Sequence, residues 1–167
     1  MTRRVIRSLR LTRTGLPAPG HRSIKGAHAH GYAELDGKTI DLTRVDPSFA
    51  GAAGACALVT NVGDLARFLD ALFKGRLFRH RATLRQMLDL APAQGERGLA
   101  GYGLGIEQYA LPGGVELVGH LGGTAGYRSF TGRVRPLGIT MAFALNAEDD
   151  PTPLVIPVVE ALAATHP

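Results

Sequence analysis

The chain has 167 residues, of which 45% are hydrophobic and 20% charged, a balance typical of a globular domain and not of a disordered segment. A single cysteine, Cys56, excludes an intramolecular disulfide and a cysteine zinc cluster, and we expect it to be a small buried hydrophobic residue. No apolar stretch approaches the roughly 18 residues that a membrane-spanning helix needs.

The net charge of +5 is distributed unevenly along the chain. The first 25 residues carry seven basic residues and no acidic one, whereas the charges of the remainder nearly balance. Without interleaved aromatic residues this basic arm does not indicate nucleic-acid binding. Arginines continue where the apolar segment of a secretion signal would lie, so the chain as written is expected to be cytoplasmic.

The N-terminal third is predicted to contain little regular structure. A short helix is expected over residues 2–9, and the Gly- and Pro-rich stretch 15–20 follows it as a break. Residues 27–33 are expected to be extended, and Gly37-Lys38 to form a turn. Residues 44–57 are rich in Gly and Ala, which suits a closely packed loop.

Two helices are predicted in the middle of the chain. The stronger signal covers Val62–Lys74, where apolar residues recur at helical spacing. Asn61 is its expected N-cap, and Gly75 its expected C-cap. A second helix is predicted over Arg81–Leu90, before Pro92.

From residue 101 the pattern becomes that of consecutive β-strands separated by tight turns. The predicted strands are Tyr102–Tyr109, Val115–Gly119, Tyr127–Val134 and Ile139–Leu145. An apolar helix over residues 153–164 ends the chain.

The most informative motif, His120-Leu121-Gly122-Gly123-Thr124-Ala125-Gly126-Tyr127, lies between the second and third of these strands. A histidine followed by glycines at the end of a strand leaves room for the backbone of a substrate to approach. Upstream, Gly101-Tyr102-Gly103-Leu104-Gly105 is a second Gly-rich motif. Together they indicate one wall of a binding cleft.

Four motifs occur in an order that resembles the C-terminal half of the class C β-lactamase and D-alanyl-D-alanine carboxypeptidase family. They are His28-Ala29-His30-Gly31-Tyr32, Thr60-Asn61-Val62-Gly63-Asp64-Leu65-Ala66-Arg67-Phe68, Gly101-Tyr102-Gly103-Leu104-Gly105, and Gly119 with the His120–Tyr127 motif. The resemblance covers nearly all of this chain but only about the second half of the family's domain. It implies an α+β fold of the α/β-type β-lactamase/transpeptidase-like kind, in which helices flank an antiparallel sheet.

The resemblance also implies a domain organisation, with residues 1–167 forming a single partial domain. Residues 1–26 would be an N-terminal remnant, 27–100 a mainly helical part, and 101–167 the antiparallel sheet with the C-terminal helix. The simplest interpretation is an N-terminally truncated family member, in which the last strand has lost its outer neighbour. An unpaired strand edge invites pairing with another chain, so self-association is expected.

In this family Ser-x-x-Lys supplies the nucleophile and its base, Tyr-x-Asn assists proton transfer, and Lys-Thr-Gly or His-x-Gly on the edge strand lines the site. By position, His120-Leu121-Gly122 resembles that third motif. The resemblance implies that His120, Gly122 and Gly123 form the catalytic wall, in which His120 contributes polarity or charge beside the substrate and Gly123 donates its N–H to the oxyanion. Leu121, Thr124 and Tyr127 would contact the substrate. Leu121 stands where the family's third motif often has Thr, whose hydroxyl could hold a substrate carboxylate. The sequence is therefore as compatible with an esterase-like relative as with an enzyme that acts on a β-lactam or a D-Ala peptide.

The nucleophile and its base are absent from residues 1–167. No serine of the chain is followed by lysine at the third position, and no tyrosine by asparagine at the second. A serine hydroxyl is a poor nucleophile without a base. We therefore expect a serine hydrolase fragment that is inactive alone, and that acts on a β-lactam, peptide or ester substrate only when an N-terminal half completes it.

The alternative is a non-catalytic protein that binds a peptide or a partner strand along its sheet edge. Neither interpretation requires a cofactor. His28 and His30 could approach His21 or His120, but no acidic or cysteine ligand lies at a recognisable spacing, so no metal site is predicted.

Overall fold

The computed structural model describes residues 1–18, 20–21, 23–45, 58–95 and 98–165. Cys56 and nearly all of the loop predicted over 44–57 lie outside these residues. The described part has the predicted α+β architecture, with helices on an antiparallel sheet.

The main sheet has six antiparallel strands that follow one another in chain order. The strands are β3 (Ala91–Pro92), β4 (Leu99–Tyr102), β5 (Glu107–Leu111), β6 (Val115–Thr124), β7 (Tyr127–Val134) and β8 (Ile139–Leu145). Each strand therefore pairs with its neighbours in sequence through hairpin-type connections, which leaves β3 and β8 at the two edges.

Side chains alternate between the two faces of this sheet, and each face packs against helices. On one face Leu117 and Phe130 lie in the larger hydrophobic cluster with Val155 and Val159 of α3 (Thr152–Thr165). On the other face a smaller cluster centres on Val118. It includes Leu72 of α1 (Val62–Phe73) and Leu84 of α2 (Arg81–Met87).

Helix α1 begins as predicted, because the Asn61 side chain accepts a hydrogen bond from the Asp64 N–H at 2.8 Å. Gly75, expected as the C-cap, lies one residue beyond the C-cap Lys74 and has a φ of 71°. A glycine at this position is the common way for a helix to end.

Two predicted strands have different limits in the structure. The strand expected over Tyr102–Tyr109 is two strands, because the chain turns between β4 and β5, where Gly103 N–H donates to the Ile106 carbonyl at 2.8 Å. Gly105 has a φ of 69° in this turn, a conformation that favours glycine. The strand expected over Val115–Gly119 continues to Thr124, because its glycines pair with β7.

The segment predicted as mainly helical, 27–100, also contains strands. A hairpin of β1 (Tyr32–Leu35) and β2 (Lys38–Asp41) turns at Asp36-Gly37, one residue before the predicted turn. Helix α2 ends at Met87 and not at Leu90. The short β3 that follows contains a proline, which a sheet tolerates at its edge.

The N-terminal segment is anchored to α1. Thr2–Arg7 is helical, as expected for residues 2–9, but in π-helical form. Gly15 forms an isolated antiparallel bridge with Val59. Asp64, of which only 4% is exposed, accepts hydrogen bonds from Arg13 N–H at 2.8 Å and from the Thr14 hydroxyl at 2.9 Å.

Candidate active site

The His120–Thr124 segment lies where β6 extends past the end of β5. Glu107, the first residue of β5, is paired with Gly119, whereas β6 remains paired with β7 as far as Thr124. This end of β6 therefore has a strand neighbour on one side only. The third-motif wall is thus the open end of an interior strand, and not part of an edge strand as the resemblance implied.

Main-chain groups of this open segment point alternately toward β7 and toward the open side. Leu121 N–H donates to Glu107 Oε2 at 2.9 Å, so Leu121 faces the side of β5. In an antiparallel ladder the residue two positions further on faces the same way. Gly123 therefore directs its N–H to the open side, and it is exposed. An oxyanion donor on this edge would need that orientation.

The imidazole of His120 bridges two other strands. Its Nε2 lies 3.1 Å from the Tyr102 hydroxyl, and the two rings meet edge to face with centroids 6.0 Å apart. Its Nδ1 contacts the Leu121 carbonyl and lies 3.8 Å from Glu107 Oε2. The ring is 43% exposed, so it remains accessible from outside.

Glu107 is a site residue that the sequence analysis missed. Its side chain is 14% exposed, and the same carboxylate oxygen accepts hydrogen bonds from the Leu121 N–H and the Tyr109 hydroxyl. A charged residue on the same face of the strand as the buried Tyr109 and Leu111 was the available signal. Its partners, however, lie on other residues of the strand and on β6, where spacing along the chain does not reveal them.

The two central glycines of the motif differ in what surrounds them. A Cβ on Gly122 would lie 2.5 Å from Ser129 Oγ, so the Ser129 hydroxyl would have to move. A Cβ on Gly123 would lie 3.2 Å from the nearest atoms, which belong to the long side chain of Arg128. Gly122 is therefore tightly limited by cross-strand packing, whereas Gly123 has more space and a longer side chain as its neighbour.

The remaining predicted site residues lie on the same hairpin and have partners within the protein. The Leu121 side chain packs against the core cluster under α3. The Tyr127 hydroxyl donates to the Ala29 carbonyl at 2.8 Å, and the Thr124 carbonyl accepts from Arg128 at 3.0 Å. Their predicted contacts with substrate stay predictions.

A depression of about 640 Å³ lies beside the hairpin on the α3 face of the sheet. Main chain from the Gly122–Ala125 stretch lines it, together with Arg128 and Glu148. Glu148 accepts from Gly126 N–H at 3.0 Å and lies 3.8 Å from the Arg128 guanidinium. Because side chains alternate along β6, His120 projects from the opposite face, so the depression and the imidazole share only the main chain of the strand.

The histidine-rich segment contacts the hairpin at Tyr127, whose hydroxyl donates to the Ala29 carbonyl. His28 and His30 stack with ring centroids 5.9 Å apart, and His30 Nδ1 lies 2.9 Å from Asp41 Oδ2. Hydrogen bonds from the Thr43 side chain and, next in size, from His30 lower the pKa of Asp41 from 3.8 to about 2.

No group of three or more His, Cys, Asp or Glu side chains in the described part of the chain is arranged to hold a metal ion. Within those same residues, no helix combines the length and the apolar character that crossing a bilayer demands.

A family model described as Beta-lactamase matches residues 1–164. The chain is similar to the D-stereospecific amidohydrolase from Streptomyces sp., with 32% identity and a TM-score of 0.75, over 88% of this chain and 43% of that one. It is also similar to the D-amino acid amidase from Ochrobactrum anthropi SV3, with 27% identity and a TM-score of 0.82, over 99% of this chain and 50% of that one.

The octameric penicillin-binding protein homologue from Pyrococcus abyssi shares the fold at 21% identity, with a TM-score of 0.78, over 98% of this chain and 36% of that one. The chain therefore spans about half the length of the solved relatives, or less.

Proposed function

The chain belongs to the β-lactamase family, and from this premise we propose that it forms one wall of an acyl-transfer serine hydrolase site. One observation carries the proposal: the open end of β6 presents the exposed Gly123 with its N–H directed away from β7, beside the accessible ring of His120. Such an edge can hold the carbonyl oxygen of a bound substrate.

The substrate class that we propose is the amide of a D-amino acid. The relatives at 32% and 27% identity are a D-stereospecific amidohydrolase and a D-amino acid amidase. An amide of this kind has no carboxylate beside the reacting carbonyl. Leu121, whose apolar side chain packs into the core and offers no hydroxyl, is compatible with such a substrate.

In the proposed reaction a serine oxygen attacks the amide carbon, and its proton passes to a neighbouring base. As the new C–O bond forms, the carbonyl electron pair moves onto oxygen, and Gly123 N–H donates to that oxyanion. Collapse of the intermediate breaks the C–N bond, the proton leaves with ammonia, and water then hydrolyses the acyl-enzyme. The serine and its base are proposed to come from a Ser-x-x-Lys segment outside residues 1–167.

The first test is the isolated chain. We expect negligible hydrolysis of D-phenylalanine amide, of a chromogenic cephalosporin and of an activated ester, because no serine in residues 1–167 has a lysine three positions later. Hydrolysis that disappears on replacing one of the chain's own serines would overturn this assignment of the nucleophile.

A sharper test joins residues 1–167 to the half of the Ochrobactrum D-amino acid amidase that this chain does not match. In an active chimera, Gly123→Pro removes the N–H, whereas Gly123→Ala keeps it and adds a Cβ whose nearest neighbours are atoms of the Arg128 side chain. We expect the proline variant to lower kcat on D-phenylalanine amide about 10²–10³-fold and the alanine variant only a few-fold. Equal losses in both variants would argue against a donor role for Gly123.

A non-catalytic binding protein is the second candidate, supported by the lack of Ser-x-x-Lys and Tyr-x-Asn in residues 1–167. It would bind D-phenylalanine amide or a labelled β-lactam reversibly and without a covalent adduct. Intact-mass measurement separates the two candidate functions. An acyl adduct on the chimera favours the hydrolase. Saturable binding without an acyl adduct on either the isolated chain or the chimera favours the binding protein.

A further inference from the structure

We propose that Glu107 is the positioning residue of His120: it holds the imidazole in the tautomer that is protonated at Nδ1, so that Nε2 accepts a hydrogen bond from Tyr102. The catalytic meaning of this arrangement rests on the proposed function, whereas the tautomer itself can be measured without any activity.

On its β5 side, the main chain of Leu121 has no strand partner. Glu107 is the residue of β5 paired with Gly119, and no residue of β5 lies opposite Leu121. The Leu121 N–H instead donates to the Glu107 carboxylate at 2.9 Å. The side chain thereby replaces the missing main-chain partner of the ladder, which leaves the strand edge open only beyond Leu121.

The groups around the imidazole of His120 determine which ring nitrogen carries the proton. Nδ1 faces the Leu121 carbonyl and the Glu107 carboxylate, and both groups are acceptors that have no proton to give. Nδ1 must therefore carry the proton. In the neutral ring Nε2 is then an acceptor, and the Tyr102 hydroxyl at 3.1 Å is its donor.

The Glu107 carboxylate is itself fixed by contacts within the protein. The Glu107 carboxylate is largely buried, and the hydroxyl of Tyr109, a core residue with 5% exposure, also donates to it. The largely buried anion thus lies 3.8 Å from Nδ1 on one side of a ring whose other side is accessible. A ring with this fixed tautomer keeps Nε2 paired with the Tyr102 hydroxyl, as a constant polar group beside the open end of β6.

The test is ring ¹⁵N NMR of the 167-residue chain at about pH 9, where an ordinary histidine is neutral. The spectrum distinguishes a protonated from an unprotonated ring nitrogen, and the His120→Gln variant identifies the signals of His120. We expect the unmodified chain to show Nδ1 protonated and Nε2 bare.

The decisive variant is Glu107→Gln, which keeps an oxygen for the Leu121 N–H but removes the charge beside Nδ1. The ratio of Nδ1-protonated to Nε2-protonated His120 should fall roughly threefold or more. The matched control is Glu116→Gln on β6, whose carboxylate pairs with Arg135 at 2.9 Å and should leave the His120 spectrum unchanged. An unmodified ring protonated at Nε2, or a ratio that Glu107→Gln does not change, would overturn the proposal.

A second variant can still overturn the proposal if Glu107→Gln does not fold. Tyr102→Phe removes the donor to Nε2 and leaves both acceptors at Nδ1, so His120 should stay protonated at Nδ1. A switch to the Nε2-protonated form would mean that Tyr102, and not Glu107, sets the tautomer.

In the amidase chimera, Glu107→Gln should lower kcat more than it raises KM, because it alters the ring and not the substrate contacts. An inactive chimera with the expected tautomer would count against the proposed function alone. An active chimera in which Glu107→Gln leaves the His120 tautomer unchanged would count against the positioning role alone.

Discussion

Glycines along β6 determine how closely the neighbouring strand and loop approach the candidate site. A Cβ on Gly119 would lie 1.9 Å from the Thr131 carbonyl oxygen, and one on Gly126 would lie 2.7 Å from the backbone of Gly31. Gly122 is limited in the same way by the hydroxyl of Ser129. At Gly119, Gly122 and Gly126 the wall of the site is therefore main chain, because close packing leaves little room for a side chain at these positions.

We predict that Gly122→Ala destabilises the chain by about 1–3 kcal/mol through overpacking against Ser129 Oγ. Most of this loss should return when Ser129→Ala is added, since the next atom, Ser129 Cβ, lies 3.9 Å from the new Cβ. Urea denaturation of the two single variants and the double variant measures the coupling. Additive effects of the two substitutions would show that the clash is not the cause.

Helix α1 carries two aspartates that differ in burial, Asp64 near its start and Asp70 nearer its end. Asp64 is buried and joins the N-terminal segment to the helix, with Arg67 also donating to it at 2.9 Å. Asp70 is partly exposed and pairs with Lys74 at 2.7 Å, and this hydrogen bond is the main reason that the pKa of Asp70 is lowered. The two carboxylates therefore provide a matched comparison on one helix.

Replacing each aspartate by asparagine should have unequal effects. Asp64→Asn leaves a buried site with donors from Arg13 and Thr14 and too few acceptor oxygens, which should cost about 2–4 kcal/mol. Asp70→Asn weakens a surface ion pair and should cost less than about 1 kcal/mol. Thermal unfolding of both variants checks the difference, and similar costs would refute the assignment of Asp64 as the anchor of the N-terminal segment.

For the whole molecule, the sheet edge at β8 is the surface to consider for association. β8 pairs with β7 on one side, and by the alternation of the ladder the N–H of Ala144 faces the other side. Ala144 is also exposed. We propose that this chain self-associates by strand pairing at β8.

The prediction is that the chain forms concentration-dependent oligomers, and that Ala144→Pro shifts them toward the monomer. Proline removes an outward N–H without touching the ladder between β7 and β8, whereas the control Ala144→Thr keeps that N–H. Light scattering coupled to size-exclusion chromatography gives the masses. A chain that stays monomeric over the accessible concentrations, or oligomers that both variants leave unchanged, would contradict the proposal.

Local patterns were sufficient for the elements whose stabilising contacts lie close in sequence. The start of α1 follows from Asn61 and the apolar spacing that comes after it, and the limits of β7 and β8 are those predicted. The family and fold class followed from motifs that are contiguous in the chain. In each case the deciding residues are within a few positions of one another, so the linear order contains the information.

Tertiary structure alone decided the continuation of β6 through Gly122 and Gly123, because pairing with β7 offsets the weak strand preference of glycine. It also decided the division of β4 from β5, where a turn at Gly105 interrupts the alternation of Tyr102, Leu104 and Ile106 with glycines. The contacts of His120 also depended on the tertiary structure, since Glu107 lies 14 residues before Leu121, and Tyr102 lies 18 residues before His120. Sequence determined which groups are available, and the register between strands determined which of them meet, because that register is set by the packing of the whole sheet.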